Sequence, residues 1–367
     1  MNEFVMKEIS NNDIESELLN IGFDNSYAHI GKDKFEYKNL KIFGLTPTQA
    51  NILKQSALSV GADCATHKEV ITSSIPSSNV ILGGNISQLK KISRKLKAQP
   101  FGIKNISESI LNELNKQISK TKIVGILNIT ENSFSDGGEF LAPDKATERL
   151  ENLFLQGADI VDIGAESTKP NAEAVSAEVQ LQRILPILKN DNSRISIDTR
   201  SSVVAEKCLA QGVKIINDVS GLKYDSNMAG IIAKYDATVV IQHSVNQQNQ
   251  GSNIKPYNHV IDEVYLDLEK QIKYAKSVGI NNIIVDVGIG FDNTADDNWK
   301  LINNIKDFKS LGYPIMLGIS RKSFIDVPKE EKDIYTLAIN ALAINNNVDY
   351  IRVHNVELHR KLIELIK

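Results

Sequence analysis

Asp198, Asn217, Asp286 and Lys322 are a set of residue types suited to a flat, nitrogen-rich ligand. Carboxylate and amide oxygens accept from adjacent N–H groups, as they do from a guanidine-like edge, while a lysine pairs with a carboxylate or lies over a heteroaromatic ring. A second set, Asn128, Arg352 and His354, suits an anion and a Mg²⁺ ion that bridges phosphate oxygens. The stretch SFSDGG (133–138) reads either as a solvent-exposed turn or as a lid, with Gly137 and Gly138 supplying the flexibility closure needs. In PIMLGISRKSF (314–324) an apolar run ends in Ser320, Arg321, Lys322 and Ser323. Cations at the end of a core strand must be solvated, paired or facing a ligand.

What could bring residues two hundred positions apart together is a repeated strand-helix pattern. Eight short apolar stretches, at 123–129, 159–164, 194–198, 214–219, 238–243, 282–288, 314–319 and 349–354, each precede a helical pattern. The helical stretch KATERLENLFLQG, for example, places Leu150, Leu153 and Phe154 on one face. Eight such units in about 245 residues predict a (β/α)8 TIM barrel, an α/β fold whose strand ends converge on one mouth. An open doubly wound sheet is the other candidate, but no G-x-G-x-x-G follows the first strand. In the barrel, Asn128, Asp162, Asp198, Asn217, Asp218, Asp286, Ser320, Lys322, Arg352 and His354 share that rim. Taken singly, Asp162 and Asp218 read as loop tethers through backbone amides. As a set, these groups carry a large desolvation cost unless something complements them.

Residues 1–118 fall outside the repeat and predict a smaller α/β domain of unassigned role, ahead of a barrel over 119–367. TPTQANILKQSALSVGAD carries Thr46-Pro47 cap chemistry, and VILGGNISQLKKISRKLK reads as a β-α unit. Gly83-Gly84 there reads as a turn into a basic surface helix, with a phosphate cradle as the alternative. ILNELNKQISKT (110–121) reads as the connecting helix and junction, and QQNQGSN (247–253) as a mobile loop.

The 367 residues are 42% hydrophobic and 24% charged, with a net charge of −3. No global field favours nucleic acid or an anionic membrane, so partners are expected to be small molecules, and a homodimer is an assembly left open. Two distant cysteines, Cys64 and Cys208, argue against a disulfide framework and for a reducing, cytoplasmic setting. Neither a signal peptide nor a membrane span is expected. His243, His259 and His359 show no metal-ligand spacing and read as packing or surface residues. There is no G-x-S-x-G elbow or P-loop.

Seven motifs, in order and in spacing, carry a resemblance: GILNITENSFSDGG (125–138), DIVDIGAESTKP (159–170), ISIDT (195–199), IINDVSG (215–221), VDVGIGF (285–291), GISRKSF (318–324) and IRVH (351–354). Together they resemble bacterial dihydropteroate synthase. The resemblance implies condensation of 6-hydroxymethyl-7,8-dihydropterin pyrophosphate with p-aminobenzoate, giving dihydropteroate and pyrophosphate for folate biosynthesis, a transferase reaction with Mg²⁺. It also implies that Asp198, Asn217, Asp286 and Lys322 form the pterin pocket. Arg352 and His354 would then hold the pyrophosphate and Asn128 its metal ion, while Thr168, Lys169, Phe291 and Ser320 shape the p-aminobenzoate site. Asp198, Lys322 and Arg352 are the expected catalytic residues, and Arg321 is expected to be structural.

Several positions depart from the family pattern. Lys169 stands where arginine is usual, Glu131 and Asn132 where proline and aspartate are, Ala165 for glycine, Val287 for proline and Gln242 for methionine. Two further readings stay open: a corrinoid-methyltransferase type of pterin-binding barrel, and a paralogue that holds a pterin without turnover.

Overall fold

Strands that are buried on both faces alternate their side chains between two apolar environments, and that alternation organises this chain. The computed structural model describes residues 5–9, 14–116, 120–130, 143–166, 175–189, 191–244, 256–291 and 293–366. The chain divides into two compact units, Met1–Gln117 and Ile118–Lys367.

In the first unit, strands β1 (Tyr37–Leu45), β2 (Asp63–Ala65) and β3 (Ser78–Asn85) form an antiparallel sheet in the order β1-β3-β2. Helix Pro47–Leu58 starts with a capping box between Thr46 and Gln49, and helix Ile86–Leu96 with one between Asn85 and Gln88. Leu53, Leu82, Leu89, Ile92 and Leu96 are fully buried in its core. Helix Lys104–Leu114 starts before the stretch read as a connecting helix and overlaps its first five residues. Gly83 and Gly84 are not the expected turn: they lie inside β3, paired with Asn39 and Lys38 of β1. A Cβ on Gly83 would sit 2.5 Å from the Tyr37 hydroxyl and 2.9 Å from Asn39 Oδ1. Close cross-strand packing therefore accounts for that glycine, and its amide is not presented as a phosphate cradle.

The second unit is a closed parallel barrel, the expected TIM barrel. Its strands are β4 (Lys122–Asn128), β5 (Ile160–Gly164), β6 (Ile195–Asp198), β7 (Ile215–Asp218), β8 (Thr238–Gln242), β9 (Ile283–Asp286), β10 (Ile315–Leu317) and β11 (Tyr350–Val353). Each falls within one of the eight apolar stretches or starts one residue before it. Neighbours pair in chain order, and β11 closes on β4.

Outward-facing side chains such as Val161, Ile197, Ile216, Val239, Ile241, Val285, Leu317 and Ile351 pack into the main core with the surrounding helices. Every second residue faces inward instead. The inner positions nearer the strand starts hold a separate apolar cluster of Val124, Ile215, Val240, Ile284 and Met316, with Ile160 and Tyr350 against it. Two residues further along β5, β7, β8, β9 and β11 the inner face turns polar, while β4 and β10 carry Ile126 and Gly318 there.

Candidate active site

The polar layer arises from the period of two. Ile160 is followed by Asp162, Ile215 by Asn217, Val240 by Gln242, Ile284 by Asp286 and Tyr350 by Arg352. Asp198 on β6 is the register partner of both Gly164 and Asn217, so it joins the same level. Beneath Asp162 and Asn217 the apolar cluster leaves a void of only about 10 Å³, room for about one water.

Arg352 organises the acidic side. Its Nε donates to Asp162 Oδ2 at 2.7 Å and its Nη2 to Asp198 Oδ2 at 2.9 Å. Asp162 Oδ2 also accepts from Asn217 Nδ2 at 2.9 Å. One oxygen of each stays unmatched: Asp162 Oδ1, Asp198 Oδ1 and Asn217 Oδ1 are buried without a partner. Three orphaned acceptors on three adjacent strands are a costly arrangement unless donors meet them, each on the order of 1–3 kcal/mol.

The titration behaviour follows from this burial. Desolvation pushes the Asp198 carboxyl up to about 7, with Arg352 opposing and Asp162, Asp218 and Glu166 adding to the rise. Burial also raises Asp286, against the pull of Lys322 and the amide of Gly288. For Arg352 burial works against the charge, but Asp162, Asp198 and Asp286 outweigh it and hold the guanidinium protonated.

Lys322 sits on the loop after β10 and reaches across to the loop after β9. Its Nζ donates to the Ile289 carbonyl and lies 4.2 Å from the Phe291 ring centroid. Burial pushes it down to about 8, with Asp286 opposing. Gly288 and Gly290 both have positive φ, +75° and +76°. A Cβ on Gly288 would meet the His243 carbonyl at 2.1 Å and one on Gly290 the Lys322 Cδ at 2.7 Å, so glycine is required at both.

Ser320 and His354 form a pair at the ends of β10 and β11. Ser320 Oγ lies 2.9 Å from His354 Nδ1 and accepts from the His354 amide at 3.2 Å. Burial, with Arg321 and Arg352 nearby, pushes the His354 imidazole down to about 3, so the ring is neutral. Arg321 turns away at φ +60° and forms a two-point ion pair with Asp333, both contacts at 2.7 Å. Asn128 is exposed at the end of β4, its Oδ1 3.3 Å from where a Gly164 Cβ would stand.

Asp218 is a loop tether: Oδ1 accepts from the Ser220 amide and hydroxyl at 2.8 and 2.6 Å, and Oδ2 from the Leu222 amide at 2.9 Å. Asp162 differs from the tether reading, because its recorded partners are the side chains of Arg352 and Asn217. Thr168, Lys169 and the SFSDGG loop lie outside the described residues.

His243 is more than a packing residue. It is buried at the end of β8, with Nδ1 2.7 Å from Asp267 Oδ2 and Nε2 2.9 Å from the Tyr257 hydroxyl. Tyr257 donates to Asn293 Oδ1 at 3.1 Å, and Asn293 Nδ2 donates to the Gly288 carbonyl at 2.9 Å. This chain ties β8 to the loop that carries Phe291. Nothing in the spacing of residues 243, 257, 267 and 293 announces it.

Residues 124–354 match the family of pterin binding enzymes. The chain is 40% identical over 248 residues to a dihydropteroate synthase of Clostridium beijerinckii, covering 65% of this chain and 90% of that one. It is 34% identical over 327 residues to a probable bifunctional folylpolyglutamate synthase/dihydropteroate synthase of Halobacterium salinarum. That match covers 84% of this chain, reaching past the barrel into the N-terminal unit, but this chain spans only 40% of the halobacterial protein. Among solved structures, a dihydropteroate synthase from Clostridium difficile, crystallised in the presence of pteroic acid, superposes with a TM-score of 0.61 at 36% identity, over 67% of this chain and 95% of that one. An acceptor-rich barrel mouth, the barrel-wide family match and these identities converge, and the chain belongs to the pterin-binding enzymes as a member of the dihydropteroate synthase family.

Proposed function

We propose that this chain joins 6-hydroxymethyl-7,8-dihydropterin pyrophosphate to p-aminobenzoate, releasing pyrophosphate and forming dihydropteroate. The observation that carries the reading is the row of unmatched acceptors, Asp162 Oδ1, Asp198 Oδ1 and Asn217 Oδ1, above an apolar floor. A pterin edge supplies N–H donors to such a row, and the flat ring fills a mouth that would otherwise leave desolvated oxygens unsatisfied.

In this scheme Asp198, Asn217 and Asp286 orient the ring and Lys322 lies against it, its stem packed at Gly290. The arylamine nitrogen bonds to the pterin methylene as the methylene C–O bond breaks, the electron pair leaves on the pyrophosphate oxygen, and the nitrogen releases its proton to solvent. An arylamine is unprotonated at neutral pH, so positioning, rather than a general base, carries the step. Arg352 attracts the leaving group. With the Ser320 hydroxyl donating to its Nδ1, the neutral His354 ring would carry its proton on Nε2 and offer it as a hydrogen-bond donor. Phe291 and Ser320, with Thr168 and Lys169, complete the p-aminobenzoate side.

A Mg²⁺ ion fits this site as a companion of the substrate. Among the described residues no group of three His, Cys, Asp or Glu could cage a metal, whereas Mg²⁺ typically takes one or two protein oxygens and completes its shell with phosphate and water. Asn128 Oδ1 is the protein oxygen that would hold it. When bound, the ion neutralises charge that builds on the departing pyrophosphate.

The same reading places the protein in the cytoplasm. It is supported by two buried, unpaired cysteines whose thiols burial pushes up, Cys64 to about 11 and Cys208 to about 12. Among the described residues no helix is long and apolar enough to cross a membrane. The test is a coupled pyrophosphate-release assay with Mg²⁺. Release that requires p-aminobenzoate supports the assignment, and absence of release with both substrates present defeats it.

A further inference from the structure

Counting hydrogens along the tie from His243 to the loop after β9 fixes the charge of the imidazole. Asn293 Nδ2 donates to the Gly288 carbonyl at 2.9 Å and points to Asn298 Oδ1 at 3.4 Å, an oxygen that also accepts from the Gly290 amide. That orients the Asn293 amide, and its Oδ1 can only accept. The single hydrogen of the Tyr257 hydroxyl goes to this oxygen, at 3.1 Å. The Tyr257 oxygen then faces His243 Nε2 at 2.9 Å as an acceptor, which requires an N–H on that nitrogen. At the other end Asp267 is an acceptor: Lys223 Nζ donates to its Oδ1 and Oδ2 at 3.1 and 3.0 Å, and Gln271 Nε2 donates to Oδ2 at 2.6 Å. His243 Nδ1, 2.7 Å from Oδ2, therefore carries a hydrogen too. Two N–H groups make the ring an imidazolium.

Among the described residues, two other charged groups face this ring. Helix Val260–Ser277 brings Asp267, which favours the second proton, and the loop after β7 brings Lys223, which shares that carboxylate and opposes it. β9 offers only the Asp286 main-chain carbonyl, which accepts from the His243 amide at 2.9 Å, because the Asp286 carboxylate lies on the inner face with Gln242. A ring that loses one proton keeps Nδ1–H on the carboxylate, the stronger of its two bonds, and Nε2 becomes an acceptor. The Tyr257 hydrogen must then turn to Nε2, and Asn293 Oδ1 loses its donor. We propose that His243 is a positioning residue that works as an imidazolium: its second proton keeps Tyr257 turned to Asn293 and holds the loop that carries Phe291, and losing that proton frees the loop and weakens p-aminobenzoate binding. The p-aminobenzoate clause rests on the function proposed above, whereas the charge of the ring and the hold on the loop do not.

The experiment is NMR of the full chain with 15N-labelled histidine rings between pH 6 and 10, the His243 signals being assigned by their loss in His243→Asn. Both ring nitrogens are expected to be protonated at pH 6. As the ring becomes neutral, amide exchange at residues 288–291, corrected for its intrinsic pH dependence, is expected to speed up about tenfold. In Tyr257→Phe it should already be fast at pH 6 and should not follow the ring. The p-aminobenzoate KM of Tyr257→Phe relative to wild type should fall from about tenfold at pH 6 toward one as the ring loses its proton, with kcat little changed. Taking this ratio cancels the titrations of Asp198 and Lys322, which both chains share. A ring that is neutral at pH 6, or loop protection that does not follow the ring's charge, would overturn the proposal. Exchange that follows the charge in a chain that releases no pyrophosphate would uphold the tie and defeat the synthase reading alone.

Discussion

The guanidinium of Arg352 bridges two carboxylates, donating to Asp162 at 2.7 Å and to Asp198 at 2.9 Å. Asp162 is fully buried, so the arginine does structural work before any substrate arrives. A lysine presents a single point charge and cannot span both partners in the same way.

Replacing Arg352 with methionine should leave two buried carboxylates without a cation and cost about 3–5 kcal/mol of stability. Urea melts should show the loss, and adding Asp162→Asn should recover part of it. An Arg352→Met chain as stable as wild type would show that the bridge contributes nothing to the fold.

Asp198 makes stability depend on pH. Its carboxyl is raised from an ordinary 3.8 to about 7 in the folded chain. Across that window the folded state binds more protons than the unfolded one, so stability from this group is greatest at the acid end and falls as pH rises toward 7. Asp198→Asn has no such loss. The variant should melt above wild type at pH 8, with the difference shrinking toward pH 4, and its pyrophosphate release should drop sharply.

Lys322 works in the opposite direction. Its pKa falls from 10.5 to about 8, so between those values the unfolded state binds more protons and stability rises with pH. Lys322→Met should abolish that rise in a series of melts from pH 7 to 10. Lys322→Ala should remove turnover by about 100-fold or more with the barrel still folded by circular dichroism.

The tie from His243 through Tyr257 to Asn293 should set the position of the loop under Lys322. Tyr257→Phe removes one hydroxyl shared by His243 Nε2 and Asn293 Oδ1. Amide exchange at residues 288–291 should speed up, and kcat/KM should fall about tenfold. Unchanged exchange at those amides would show that the loop is held by other contacts.

Much of the barrel was legible because a strand buried on both faces cannot hide its period. Ile160, Ile215, Val240 and Ile284 mark the inner face, and counting two residues on from each reaches Asp162, Asn217, Gln242 and Asp286. The partners of those residues were not legible. Whether Asp162 would tie a backbone amide, as Asp218 does, or an arginine 190 residues away depends on barrel closure, which no local pattern encodes. Gly83-Gly84 misled for a related reason: a glycine pair signals a turn locally, while here the cross-strand neighbours Tyr37 and Asn39 leave no room for a side chain. His243 looked ordinary because Asp267 and Tyr257 reach it only through tertiary packing.

The five apolar side chains under the mouth, Val124, Ile215, Val240, Ile284 and Met316, act as an electrical insulator. They keep bulk solvent from screening the carboxylates from below, so the acidity of Asp198 is governed partly by residues that lie a layer away from the ligand. Evolution can therefore retune the charge state of this mouth by editing greasy positions alone, leaving all the polar residues in place.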